Sequence, residues 1–213
     1  MADISSNGLI ILYIITVLFI IVMYFSEIHT PTKINYIELV GLFVIMILEF
    51  FIGFSITKNV GTLFLAVFVT WIVIFTPTLL IYLIPMNGYV DELNSIFSNV
   101  IGYLFVANEA SNILSQLGLE KEGEDEGESI KESKRLIAQI NNSKNIFINQ
   151  LTPYNFDYLW NNLFSPLFKD DKREEIKQRL LEITNQKFVI GKCIWYLYTC
   201  IISITISSFF MTL

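Results

Sequence analysis

Charge is what this chain of 213 residues has least of. Only 16% of its residues are Asp, Glu, Lys or Arg, where a soluble domain carries about a quarter. Arginine occurs only at Arg135, Arg173 and Arg179, and His29 is the single histidine. The net charge is -6, and no basic face is visible to neutralise phosphates, which excludes a nucleic-acid partner. His29 stands in a short loop with no second histidine and no carboxylate cluster at ligand spacing, so metal catalysis has no support. There is no GxSxG, no phosphate-cradling glycine loop and no HExxH. The chain therefore reads as a non-enzyme without a cofactor. Cysteine is nearly absent too: Cys193 and Cys200 stand seven residues apart in an apolar, helical run. About 10 Å of helical rise separates them, too far for a disulfide. They read as two small buried hydrophobes, with acylation of one as the alternative.

What the chain has in quantity is apolar surface: 54% of its residues are hydrophobic and the mean hydropathy is +0.57. The uncharged run Gly8 to Phe25 has the length a bilayer core demands, and no small-residue cleavage pattern follows it, so it reads as a retained anchor. Tyr36 to Phe54 and Thr62 to Pro85 form two further spans joined by the short "TKNVG", and Phe188 to Leu213 forms a fourth. Lys33, Lys187 and Lys192 flank one side of the spans against Lys58 on the other, which puts both termini in the lumen and residues 86–187 in the cytoplasm.

Residues 86–187 hold most of the charge. "LEKEGEDEGESIKESK" is too rich in glycine and like charge to pack and reads as a solvated loop. "SIKESKRLIAQINNSKNIFI" and "DDKREEIKQRLLEITNQ" read as helices, the second capped by Asp170 or Asp171. The expected fold class is all-α: an integral membrane protein with about four transmembrane helices, an interfacial amphipathic helix and a small helical cytoplasmic region. Its parts are a three-span bundle (8–85), a surface helix (86–118), an acidic loop (119–134), a helical region (135–187) and a last span (188–213).

The surface helix follows the turn signal "PMNG". Leu93, Ile96, Phe97, Val100, Ile101 and Leu104 repeat at the helical period. Only a dozen residues there suit hydrocarbon, where about 20 are needed, so the helix does not span. Beginning at the bilayer surface, it can lay its apolar side on lipid or on the chain's own helices; Asp91, Glu92 and Glu109 favour those helices or a protein partner over anionic lipid. "PYNFDYLWNNLFSPLF", Pro153 to Phe168, interleaves aromatics with Asn as an interface anchor or a packed core does. The expected contact positions are Phe97, Val100, Ile101, Tyr103, Leu104, Tyr154 and Trp160. Glu49, inside the second span, costs about 2.5 to 3.5 kcal/mol as an isolated charge. It is expected either to be hydrogen-bonded to Thr70, Thr76 or Tyr13 as helix-to-helix glue, or to line an ion path. Pro77 is expected to kink the third span, with Thr76 and Thr78 at hand for the freed carbonyl.

The run "FSNVIGYLFVANEASNIL", Phe97 to Leu114, set after three spans and before an acidic loop and a last span, resembles small membrane proteins of the nucleocytoplasmic large DNA viruses. The similar proteins are inner-membrane or minor capsid proteins of phycodnavirus-like and mimivirus-like particles. The resemblance implies a virion structural protein in a host-derived, ER-like membrane under an icosahedral shell. Its partners would be the bilayer and capsid or other virion proteins, with a homo-oligomer also open. Residues 86–187 would face the capsid. A small viroporin-like channel lined by Glu49 and an assembly factor for a host membrane complex are the alternatives.

Overall fold

The computed structural model describes residues 3–29, 31, 36–60, 64–83, 96–117, 128–168 and 171–212. Every regular element among them is helical, and they fall into two compact units.

The first unit comprises residues 1–27, 32–94 and 192–213. Helix α1 is Asp3–Glu27 and α2 is Tyr36–Val60, so the Thr57–Val60 part of the expected hairpin continues the helix. Helix α3 is composite: Phe64–Thr70, a π turn Trp71–Phe75 and Thr76–Leu83 follow without a break. The wide turn lies directly before Pro77, whose ring would otherwise meet the carbonyl four residues back. Thr78 Oγ1 donates to Ile74 O at 2.6 Å, the carbonyl four residues before it and not the one that Pro77 frees, and Thr76 Oγ1 is unpaired among the described atoms. The last member is the Lys192–Thr212 part of a 40-residue helix, Arg173–Thr212.

Each of these helices buries one stripe: Leu12, Thr16, Ile20, Met23 and Glu27 on α1; Leu42, Ile45 and Glu49 on α2; Val67, Thr70, Phe75 and Leu79 on α3. On α3 the step from Thr70 to Phe75 is five residues, because the π turn inserts one residue and so returns the stripe to the same face. In the 40-residue helix the stripe is Lys192, Tyr196, Thr199, Ser203 and Ser207. Contacts fix the directions. The aromatic ring of Phe19 lies where a Cβ on Gly41 would stand, and Ile52 touches the corresponding point on Gly8, so α1 and α2 are antiparallel. Tyr13 and Thr205 share a hydroxyl hydrogen bond of 3.0 Å while Glu27 meets Lys192, so α1 is also antiparallel to the last helix. Trp71 Nε1 donates to Met46 O at 3.0 Å and ties α3 to α2.

The second unit comprises residues 28–31 and 95–191. In it α4 opens with a π turn, Ser98–Gly102, and continues as Tyr103–Leu114. Then come α5, Glu128–Asn142, and α6, Lys144–Gln150. Helix α7 is Phe156–Leu159, extended by a π turn Trp160–Phe164 and a 3-10 turn Ser165–Leu167. Helix α8 is the 40-residue helix, which contributes Arg173–Gly191 here. Before α7, Thr152 N–H donates to Asn155 Oδ1 at 2.8 Å and Asn155 N–H returns to Thr152 Oγ1 at 3.3 Å. This reciprocal pair lets "TPYN" turn the chain without leaving backbone donors unmet. One apolar core joins Val106, Ala110, Ile113 and Leu114 of α4 to Phe147 and Ile148 of α6, the aromatics of α7, and Ile176, Leu180 and Ile183 of α8.

Two expectations change. The helix begins at Glu128, so residues 128–134, assigned to the acidic loop, are helical; residues 118–127 lie outside those described. No break separates the helix expected in residues 135–187 from the apolar run expected to be the last span: α8 is one helix about 60 Å long at 1.5 Å per residue. Among the described residues, two helices are long and apolar enough to cross a membrane, Asn7–Glu27 and Arg173–Phe210. Leu39–Ser55 and Val67–Leu80 are shorter apolar stretches.

Candidate functional site

Two places gather the polar side chains. In the first unit they point inward. Lys192 Nζ donates to Glu27 Oε2 at 2.9 Å, with both residues essentially inaccessible. An ion pair this buried holds only when both charges are present, since removing one leaves the other without compensation. Thr16 Oγ1 and Thr199 Oγ1 donate to carbonyls four residues back in their own helices, at 2.9 Å each. Glu49 is 2% exposed and its Oε1 accepts a hydrogen bond from Ser207 of α8; Oε2 has no partner among the described atoms. Of Thr70, Thr76 and Tyr13, the partners expected of Glu49, none bonds it: Ser207 does, while Thr76 Oγ1 is unpaired among the described atoms and Tyr13 bonds Thr205. Cys193 and Cys200 are free and buried.

The outside of this unit is the reverse. Ile10, Ile14, Leu18, Val22 and Phe25 of α1 are exposed, as are Val40, Phe43 and Phe51 of α2, Leu65 and Val73 of α3, and Phe209 of α8. Large apolar groups cover the outside as well as much of the inside, while charged and hydroxyl groups are buried, which is not the arrangement that water selects.

In the second unit three helices meet at Lys187. A Cβ added to Gly102 would stand 2.3 Å from Lys187 O, so the backbones of α4 and α8 touch there, and only glycine permits it. Lys187 Nζ is buried and donates to Asn99 Oδ1 at 2.8 Å and Ile148 O at 3.0 Å. Asn149 Nδ2 donates to Asn99 O at 3.1 Å. No carboxylate neutralises the ammonium in this contact set, and burial pushes Lys187 down to about 8. Farther along, Arg179 Nε donates to Glu109 Oε1 at 3.1 Å, and that carboxylate holds the guanidinium above its ordinary value.

The expected contact positions separate into three groups. Val100 and Leu104 are exposed, at 61% and 70%, and with Ile96 and Phe105 they form one apolar face; Ile96 and Phe105 were not among the expected positions. Phe97, Ile101 and Tyr103 are half-buried, Tyr103 against the core. Tyr154 is exposed, with its ring edge-on to Phe188. Trp160 corrects the expectation: it is 3% exposed and stacked between Phe156 and Phe168, so it packs the core and offers no contact. Pro77 is half-buried and follows the π turn of α3.

Residues that the sequence reading missed are Lys187 and Lys192, counted there only as flanking charges, and Ser207. The signal for Ser207 is the small polar repeat Thr199, Ser203, Ser207, the spacing at which small residues let membrane helices approach. Among the described residues no group of three or more His, Cys, Asp or Glu side chains is placed to hold a metal ion. No protein-family model, curated protein or solved structure matches the chain.

Proposed function

We propose that this chain is a non-catalytic, multi-pass membrane scaffold. On this reading α1, α2, α3 and the Lys192–Thr212 part of α8 all cross the bilayer, both termini are lumenal, and the second unit stands on the cytoplasmic side as a preformed docking domain. The observation that carries it is the apolar outside of the first unit, leucine, isoleucine, valine and phenylalanine, around an interior that also encloses Glu27, Glu49, Lys192 and Ser207. That distribution suits a lipid surround, where apolar side chains need no cover and polar ones seek each other. The second unit supports the docking role through its own aromatic core and through exposed Tyr154, Tyr158 and Leu163 beside it. On the resemblance given above, the assembly it meets is the inner face of a virus capsid.

Protease protection of residues 121–134 in sealed microsomes, made from cells expressing the full chain, tests the orientation. Cleavage from outside supports a cytoplasmic scaffold. Full protection places the second unit in the lumen and removes the capsid-facing reading.

A second reading, an oligomeric channel with Glu49 on the path, draws on the unpartnered Oε2 of Glu49. It requires a conductance in planar bilayers that Glu49→Gln alters. The 2% exposure of Glu49 and its bond to Ser207 favour helix-to-helix glue instead.

A further inference from the structure

The apolar face of α4 is exposed only along half its length. Ile96, Val100, Leu104 and Phe105 are bare, and no charged residue lies between Ile96 and Asn108. Beyond that point the same side carries Asn108, Asn112 and Ser115, all exposed. The opposite side, Ser98, Gly102, Val106 and Ala110, is buried along the whole helix. Packing within the unit therefore accounts for one side of α4 and leaves the other divided into an oily half and a polar half.

The register of α4 on α8 shows where each half lies along the long helix. Gly102 abuts Lys187 O, and Glu109 holds Arg179. Seven residues along α4 thus match eight backward along α8, and the two helices are antiparallel with little slippage. Lys187 is the last residue before the apolar run that opens at Phe188, and α8 passes through that point without a break. Counting from Gly102, Val100 is level with Val189, and Ile96 lies about 9 Å beyond Gly102 along α4, in the direction in which α8 turns apolar at Phe188, at 1.5 Å per residue. Leu104 and Phe105 fall within one turn on the other side. Asn108, Asn112 and Ser115 run back along the polar part of α8.

We infer that the Ile96, Val100, Leu104 and Phe105 face of α4 is a lipid contact, set at partial depth in the boundary between headgroups and acyl chains. This rests on the membrane reading proposed above and adds to it a specific surface, depth and occupant. The change from apolar to polar side chains on α4, between Phe105 and Asn108, falls within about two helical turns of the point where α8 changes in the same sense. The reach of about 9 Å matches the depth, roughly 5 to 10 Å, to which interfacial helices sink their apolar faces. Lipid also explains why the face is left bare beside a well-packed core. Lys187 fits the same level: the ammonium at this depth is fully enclosed by Asn99 and Ile148 O and is not left facing hydrocarbon. Protein contacts of the second unit then belong to its other surfaces.

The test uses the full chain in liposomes, with a nitroxide placed singly at Val100→Cys, Leu104→Cys, Phe105→Cys, Asn112→Cys and, as a marker for the first unit, Leu18→Cys. Cys193 and Cys200 are buried and stay in place, with the unsubstituted chain as the labelling control. All five substituted positions are exposed, so the label disturbs little packing. Collision with oxygen and with a water-soluble nickel chelate is read at each site. The inference expects the oxygen-to-nickel ratio at positions 100, 104 and 105 to exceed that at 112 several-fold and to fall below that at 18. Nickel access at 100 and 104 equal to that at 112, with position 18 in lipid, overturns the lipid contact and leaves the membrane reading standing. Low access to both reagents at 100 and 104 also overturns it, since a second copy or another protein then covers the face. Nickel access at position 18 as high as at 112 overturns the membrane reading itself.

Discussion

Single residues set the largest energies here. The Glu27 and Lys192 pair is enclosed on both sides. Lys192→Met is expected to cost roughly 3 to 5 kcal/mol, because it strands a carboxylate, while Glu27→Leu combined with Lys192→Met recovers most of that loss. Unfolding of the four chains of this cycle in detergent, followed by SDS titration, measures both. Lys187 behaves differently because its contact set offers no carboxylate. With the folded value lowered to about 8 against an ordinary 10.5, the unfolded chain binds more protons between those two pH values. Stability therefore rises with pH through that window, by at most about 1.4 kcal/mol per pH unit, and is flat below it. Lys187→Met should remove this rise; an unchanged pH profile between 7.5 and 10 would show that Lys187 does not titrate there. The sequence marked Glu49 as needing a partner and offered Thr70, Thr76 or Tyr13, not Ser207, because pairing α2 with a helix more than 150 residues away leaves no local trace.

Among the elements, the crossing of α4 over α8 depends on Gly102. Gly102→Ala forces a methyl against the carbonyl of Lys187, a backbone atom that cannot rotate aside. A loss of roughly 1 to 3 kcal/mol is expected, together with faster amide exchange in α4 and α6; an alanine variant as stable as the parent would show that the backbones are not in contact. The helical period of α4 was legible from Ile96, Val100 and Leu104, but which side faces the core was not. The first half of the buried side uses Ser98 and Gly102, small residues that carry no hydrophobic signal, before Val106, Ala110, Ile113 and Leu114 continue it. The reverse holds for α7. Phe156, Trp160, Phe164 and Phe168 recur every fourth residue and form a core-facing stripe. That spacing was present in the sequence, yet interleaved asparagines gave the segment the look of an interface.

For the molecule as a whole, the all-helical class followed directly from composition and hydropathy. The number of crossings did not follow as firmly, since α2 and α3 are apolar over shorter stretches than α1. A multi-pass bundle predicts that the full chain stays with the membrane pellet after extraction at pH 11, whereas a chain held only by surface charge is released. The interhelical bonds of the first unit join residues very far apart in sequence: 192 positions from Tyr13 to Thr205, 165 from Glu27 to Lys192 and 158 from Glu49 to Ser207. At about 5 to 20 residues per second of synthesis, Glu27 emerges from the ribosome roughly 8 to 30 seconds before the lysine that neutralises it. Until then the nascent chain carries Glu27 without Lys192 and Glu49 without Ser207. On the membrane reading proposed above, biogenesis then has to keep the early helices sheltered, by the insertion machinery or by water at their edges, and release them to lipid only when the distant helix arrives to complete them.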